Sequence, residues 1–87
     1  MNLQGKICII TGAARGIGAA IAKRYVESGA KVAIADLRLA DAEETAAELT
    51  AMGPGTAIGV EMNVTDEAAV NAGVAKVVET WGRVDVL

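Results

Sequence analysis

Three short apolar runs, each followed by a stretch of helical periodicity, constrain this 87-residue chain more than any other feature. Ile7-Cys8-Ile9-Ile10 sits inside a strand predicted over Lys6 to Thr11, and its β-branched content suits a strand covered on both faces. Val32-Ala33-Ile34-Ala35 marks a second strand, Lys31 to Asp36. Thr56 to Met62 marks a third, weakened by Gly59.

The intervening segments read as helices. Over Arg15 to Ser28, Ile17, Ile21 and Tyr25 recur every fourth residue, with Lys23, Arg24 and Glu27 on another face. Ser28-Gly29 supplies the stop, since glycine enters the left-handed C′ conformation at little cost. Leu39, Ala42, Ala46 and Leu49 predict a second helix to Met52, ended by Gly53-Pro54. Thr65 is the expected N-cap of a third, with Asp66 and Glu67 in its first turn. Val70, Val74, Val77, Val78 and Trp81 give it an apolar stripe, and Gly82 ends it. Val84 to Leu87 begins a fourth strand.

Apolar strands alternating with amphipathic helices imply a parallel sheet with right-handed crossovers. The expected fold is therefore α/β, a doubly wound parallel sheet of Rossmann-like type, present as its first β-α-β-α-β-α-β half with strand order 3-2-1-4. The fourth strand is apolar and would need a neighbour on its far side. Residues 1–87 are thus expected to be the N-terminal part of a single larger domain.

Composition removes several function classes. At 53% hydrophobic the chain is too apolar for a disordered segment. No apolar run approaches the ~20 residues of a membrane span, and Met1-Asn2-Leu3-Gln4-Gly5-Lys6 lacks a secretion-signal layout. The absence of histidine excludes Ser-His or Cys-His nucleophile pairs and His-ligated metal within the chain. A single cysteine, Cys8, excludes an internal disulfide and points to a reducing, cytoplasmic setting. A net charge of −3 argues against nucleic acid as a partner.

The chemistry is concentrated in Thr11-Gly12-Ala13-Ala14-Arg15-Gly16-Ile17-Gly18, between the first strand and first helix. Gly12 lets the chain leave the strand tightly. Gly16 leaves room for a pyrophosphate at the helix N-terminus, where free N–H groups and the helix dipole favour an anion. Gly18 lets the helix pack closely on the sheet. A phosphate-binding P-loop would need Lys-Ser or Lys-Thr after its last glycine, whereas Ile17-Gly18-Ala19 follows Gly16.

Asp36, ending the second strand, can accept hydrogen bonds from ribose hydroxyls and would repel a 2′-phosphate, which favours NAD over NADP. A helix-capping or loop aspartate is the other reading of the same residue. Arg15 is either a phosphate contact or an exposed first-turn residue, and Arg38 either lies near a 2′-phosphate or pairs with solvent or an acid. Asn63 and the Val64 backbone offer donors and acceptors to an adenine edge, or form a simple turn. The candidate cofactor-binding set is Gly12, Ala14, Arg15, Gly16, Ile17, Gly18, Asp36, Leu37, Asn63 and Val64. No catalytic residue and no metal ligand is expected.

The glycine turn, Asp36, the Asn63-Val64 loop and the Trp81 to Leu87 ending together resemble the short-chain dehydrogenase/reductase family over the whole 87 residues. Asn63 departs from the family's pattern, which has Asp before the Val, and it is expected still to accept from an adenine amino group. Met62 to Gly73 is similar to bacterial 3-hydroxybutyrate dehydrogenases, and Val32 to Asp36 with its following helix to polyol dehydrogenases. The resemblance implies an NAD-dependent enzyme, homotetrameric or homodimeric at full length, that moves hydride to or from a small-molecule alcohol or ketone. The family's Asn-Ala-Gly, Asn, Ser and Tyr-x-x-x-Lys elements would follow Leu87. Tyr25 is followed four residues on by Gly29, so it is expected to be a packing residue, and Ser28 a helix-end residue. The chain alone is expected to be inactive. The competing expectation is a non-catalytic NAD-binding or redox-sensing module.

Overall fold

The computed structural model describes residues 2–85. In chain order the elements are β1 (Ile7–Thr11), α1 (Gly16–Glu27), β2 (Lys31–Asp36), α2 (Leu39–Met52), β3 (Thr56–Glu61) and α3 (Glu67–Trp81). β2 pairs in parallel with β1 on one side, Cys8 opposite Val32, and with β3 on the other, Val32 opposite Ala57. The spatial order is thus 3-2-1, as expected for a doubly wound half-sheet. Of the expected fourth strand, Val84 to Leu87, the described Val84 and Asp85 are not in a strand, and Val86 and Leu87 lie outside the described residues.

Strand side chains alternate between two faces, and both are covered. Cys8, Val32 and Ile34 point to one side, where Ala22 and Val26 of α1 and Ala42, Ala46 and Leu49 of α2 bury them. Ile7, Ile9, Ala33, Ala35, Val60 and Met62 point to the other, where Val77 of α3 seals the centre and Val70, Val74 and Trp81 flank it. Double coverage accounts for the uninterrupted apolar runs.

The inward face of α1 differs from the predicted stripe. Ile17 is 82% and Ile21 41% exposed, whereas Ala22 and Val26 are fully buried. Small residues face the sheet because they allow close approach, and the larger isoleucines stand aside. Tyr25 is half-buried against the α1/α2 core, as expected, and the Ser28 hydroxyl donates to Arg24 O at the helix end. On α3, Val78 lies outside the stripe at 42% exposure, and Gly73 is buried in its place.

The cap of α3 is also shifted. Asp66, not Thr65, is the N-cap, its carboxylate accepting from the N–H groups of Ala68 and Ala69. Gly82 closes the other end in the left-handed conformation, donating to Val78 O at 2.7 Å. Gly59 does not weaken β3, which runs unbroken. A Cβ there would lie 2.6 Å from Glu43 N, so the glycine is what lets α2 lie against the strand.

Candidate functional site

All three strands end at the same edge of the sheet, and each strand-to-helix turn is built there. This is the edge at which open α/β sheets form ligand crevices. The first turn is held by hydrogen bonds to the end of β2 and to α2. Ala13 N–H donates to Ala35 O at 3.3 Å, and Ala14 N–H donates to Asp36 Oδ2 at 3.0 Å. The Thr45 hydroxyl donates to Ala14 O at 2.7 Å. Thr45 escaped the sequence reading because only the docking of α2 brings it to the turn.

The three glycines separate by what surrounds them. Gly12 and Gly16 have φ of +61° and +66°, and a Cβ on either would meet nothing within 4 Å. The turn is therefore left-handed where glycine is favoured, and open above it. Gly18 is different: its Cβ would lie 2.4 Å from Gly12 O and 3.0 Å from Ala13 Cα. It is needed for α1 to pack on its own turn rather than directly on a strand.

The N-terminus of α1 is left unsatisfied. Arg15 occupies the N-cap with no side-chain cap bond, and the first turn carries no acid. The first-turn N–H groups, those of Gly16, Ile17 and Gly18, have no partner among the described residues. With the dipole's positive end behind them, they suit a phosphate. α3 makes the contrast, since Asp66 caps it and Glu67 follows in its first turn.

Asp36 closes the next turn. Oδ2 takes the Ala14 N–H and Oδ1 takes the Leu37 N–H at 2.7 Å, so one carboxylate fixes two turns. Each oxygen keeps a further lone pair for a hydroxyl donor. The loop reading of Asp36 and the ligand reading are thus compatible. The Arg15 guanidinium reaches out to Asp41 at 3.0 Å and is 79% exposed, and Arg38 is exposed at the start of α2.

A crevice of about 270 Å³ lies between the turns, lined by Gly12, Asp36, Leu37, Met62, Asn63, Val64 and Thr65. Leu37 and Val64, 63% and 61% exposed, give it apolar walls suited to the flat face of a ring. Of the predicted set, Gly12, Asp36, Leu37, Asn63 and Val64 meet at this crevice. Ala14 lies behind it on Asp36, Gly16 to Gly18 form the helix end, and Arg15 and Ile17 face solvent.

Asn63 is committed in a way its sequence did not reveal. Its Oδ1 accepts from Thr65 N–H at 3.0 Å and from the Thr65 hydroxyl at 2.7 Å. The expected acceptance from an adenine amino group therefore has to compete with two bonds already made. Thr65 serves this turn, which is why it does not cap the helix.

The other titratable features are structural. Burial pushes the Cys8 thiol above its ordinary pKa, with Asp85 adding to the shift and Lys6 opposing it. The Ile7 N–H, and then Arg83, hold the Asp85 carboxyl below the usual carboxylate value. Among the described residues no helix is long and apolar enough to cross a membrane, and no three His, Cys, Asp or Glu side chains are grouped to hold a metal.

The family model described as short chain dehydrogenase matches residues 6–87. The chain is 48% identical over its whole length to a sorbitol dehydrogenase of Cereibacter sphaeroides, covering 32% of that protein. It is 46% identical, with the same coverage, to galactitol 2-dehydrogenase of Agrobacterium fabrum. A crystal structure of hydroxysteroid dehydrogenase from Escherichia coli superposes with a TM-score of 0.93 at 32% identity, covering 99% of this chain and 36% of that one. The chain spans about one third of the length of the curated relatives it matches.

Proposed function

Because this chain belongs to the short chain dehydrogenase family, we propose that it is the cofactor-binding part of a longer dehydrogenase that moves hydride between a secondary alcohol and NAD. Family membership carries the nicotinamide cofactor. The observation that supports its placement is the open N-terminus of α1, bonded through Ala14 to the carboxylate that ends β2.

In this reading the N–H groups of Gly16, Ile17 and Gly18 hold the pyrophosphate, and the bare Gly12 and Gly16 let it approach. The two free lone pairs of Asp36 accept from the adenosine ribose. A 2′-phosphate would place a dianion beside that carboxylate, and at ~4 Å such repulsion reaches several kcal/mol near a protein surface. NAD is therefore the preferred form. Leu37 and Val64 flank the purine ring. When bound, the nicotinamide ring supplies the hydride chemistry; the residues here seat and aim it. The proton-transferring groups lie elsewhere in the whole protein.

The substrate class we propose is a polyol, in keeping with the sorbitol and galactitol dehydrogenases among its relatives. The whole enzyme is proposed to be a cytoplasmic homotetramer or homodimer. The test is titration of the full-length protein with NAD and NADP, followed by sorbitol and galactitol oxidation monitored through the reduced nicotinamide. Binding of NAD in preference to NADP and turnover of at least one polyol are expected. A folded protein that binds neither dinucleotide overturns the reading. Binding without turnover of any alcohol would replace it with the non-catalytic module.

A further inference from the structure

Resting on the NAD reading above, we propose that Asn63 makes this crevice tolerant of the purine's C6 substituent, so that a 6-oxopurine dinucleotide binds nearly as well as NAD. The orientation of the Asn63 amide carries the argument. Thr65 N–H is a donor only, and it points at Asn63 from 3.0 Å, so the atom facing it is the carbonyl oxygen. The Thr65 hydroxyl takes the second lone pair at 2.7 Å. Both acceptor positions of the amide are consequently used within the turn.

What Asn63 has left is its Nδ2, which donates and cannot accept. Val64 adds a backbone N–H with no partner among the described residues. Both residues line the crevice. Adenine offers these two donors one acceptor, N1, and one mismatched donor, the 6-amino group. Hypoxanthine offers one acceptor, O6, and one mismatched donor, N1–H. Each base makes one good and one poor match, so discrimination is small. An aspartate at the same position would behave differently. One oxygen would keep Thr65, and the other would stand free as a charged acceptor that favours an amino group and repels a carbonyl.

The experiment measures the dissociation constants of NAD and nicotinamide hypoxanthine dinucleotide by calorimetry on the full-length protein, as wild type, Asn63→Asp and Thr65→Val. The wild-type constants are expected to agree within about threefold, and Asn63→Asp to shift the ratio toward NAD by about tenfold. Thr65→Val frees one lone pair of Oδ1 while keeping the backbone bond, and should shift the ratio the same way by a smaller factor. This variant decides the matter if Asn63→Asp does not fold. A wild-type preference for NAD of about tenfold or more overturns the proposal, as does a ratio that no variant moves. Failure of the folded wild type to bind either dinucleotide overturns the cofactor reading itself and this proposal with it, and is distinguishable from a ratio that is merely large.

Discussion

Gly18→Ala separates the architectural glycine of the turn from the open ones. The added Cβ would stand 2.4 Å from Gly12 O and 3.0 Å from Ala13 Cα, both backbone atoms that no rotamer change can move. Ordinary carbon–oxygen contact requires roughly 3.3 Å, so α1 and its turn must part by nearly an ångström. Overpacking of this kind costs about 1–3 kcal/mol. Alanine's better helix propensity returns at most about 1 kcal/mol, less in a first turn. The net expectation is a loss of about 1–2 kcal/mol, or roughly 2–8 °C in Tm for a domain of 150–250 residues. Gly16→Ala meets no atom within 4 Å but sits at φ +66°, so its cost is backbone strain of roughly 1–2 kcal/mol with no steric clash. Its methyl projects into the open space above the helix end, so NAD binding should fall more than stability does. Thermal melting and NAD titration of both full-length variants read the two effects separately. If Gly18→Ala melts with the wild type, or Gly16→Ala binds NAD normally, the division of roles among the glycines is wrong.

Asp36→Ala should lower the preference for NAD over NADP by at least about tenfold in paired titrations, because the repelling charge is gone. It should also lower Tm, since the Ala14 and Leu37 N–H groups lose their acceptor. Asp85 is bonded in its charged form to Ile7 N–H at 2.9 Å, and its pKa is lowered from 3.8. Its contribution is therefore present above that value and lost as pH falls through the depressed one. Asp85→Asn should melt below wild type at neutral pH, with the gap closing in acid. The Cys8 pKa is raised from 9.0, so the stability linked to its protonated form is present below 9.0 and lost as pH rises through the folded value. Thiol reagent should label Cys8 slowly in native protein near neutral pH and rapidly after denaturation.

Strand and helix positions were legible because each strand is centred on a short apolar run and each helix is followed within two residues by a glycine. Which side of α1 faces the sheet was not. Pattern reading favours the largest apolar residues, and here Ile17 and Ile21 are bulky while the buried residues of the helix are Ala22 and Val26. In a chain with eighteen alanines, close approach selects the small residues, and periodicity alone cannot distinguish the two faces. Gly59 misled for the same reason, since a glycine that weakens an isolated strand admits a helix in the packed one. Within the site, the glycines and Asp36 stood out by spacing. The Thr65–Asn63 pairing did not, because Thr65 and Asp66 are both good caps and only the chain's path decides which one performs that role.

The two edges of the sheet are treated differently, and this bears on how the rest of a doubly wound domain can attach. On the outer edge of β3, the Thr50 hydroxyl accepts from Ala57 N–H at 2.9 Å and donates to Ala57 O at 3.1 Å, and Lys76 Nζ reaches Gly59 O at 3.4 Å. Side chains from α2 and α3 thus occupy backbone groups that another strand would need, a known way of blocking edge pairing. On β1 the outward groups of Ile7 are instead met by another part of the chain: Asp85 N–H donates to Ile7 O at 2.7 Å, and the Asp85 carboxylate accepts from Ile7 N–H. Arg83 secures the approach by donating to Gly5 O at 3.0 Å. Backbone pairing is therefore directed to the β1 side, the side on which the 3-2-1-4 order requires a fourth strand. Replacing Thr50 with valine tests the asymmetry. The variant strips both edge bonds without changing side-chain volume much, and should leave the Ala57 amide exchanging with deuterium at least about tenfold faster while the Ile7 amide is unchanged. Equal acceleration at both amides would mean that the sheet opens as a unit and that Thr50 does not guard the edge.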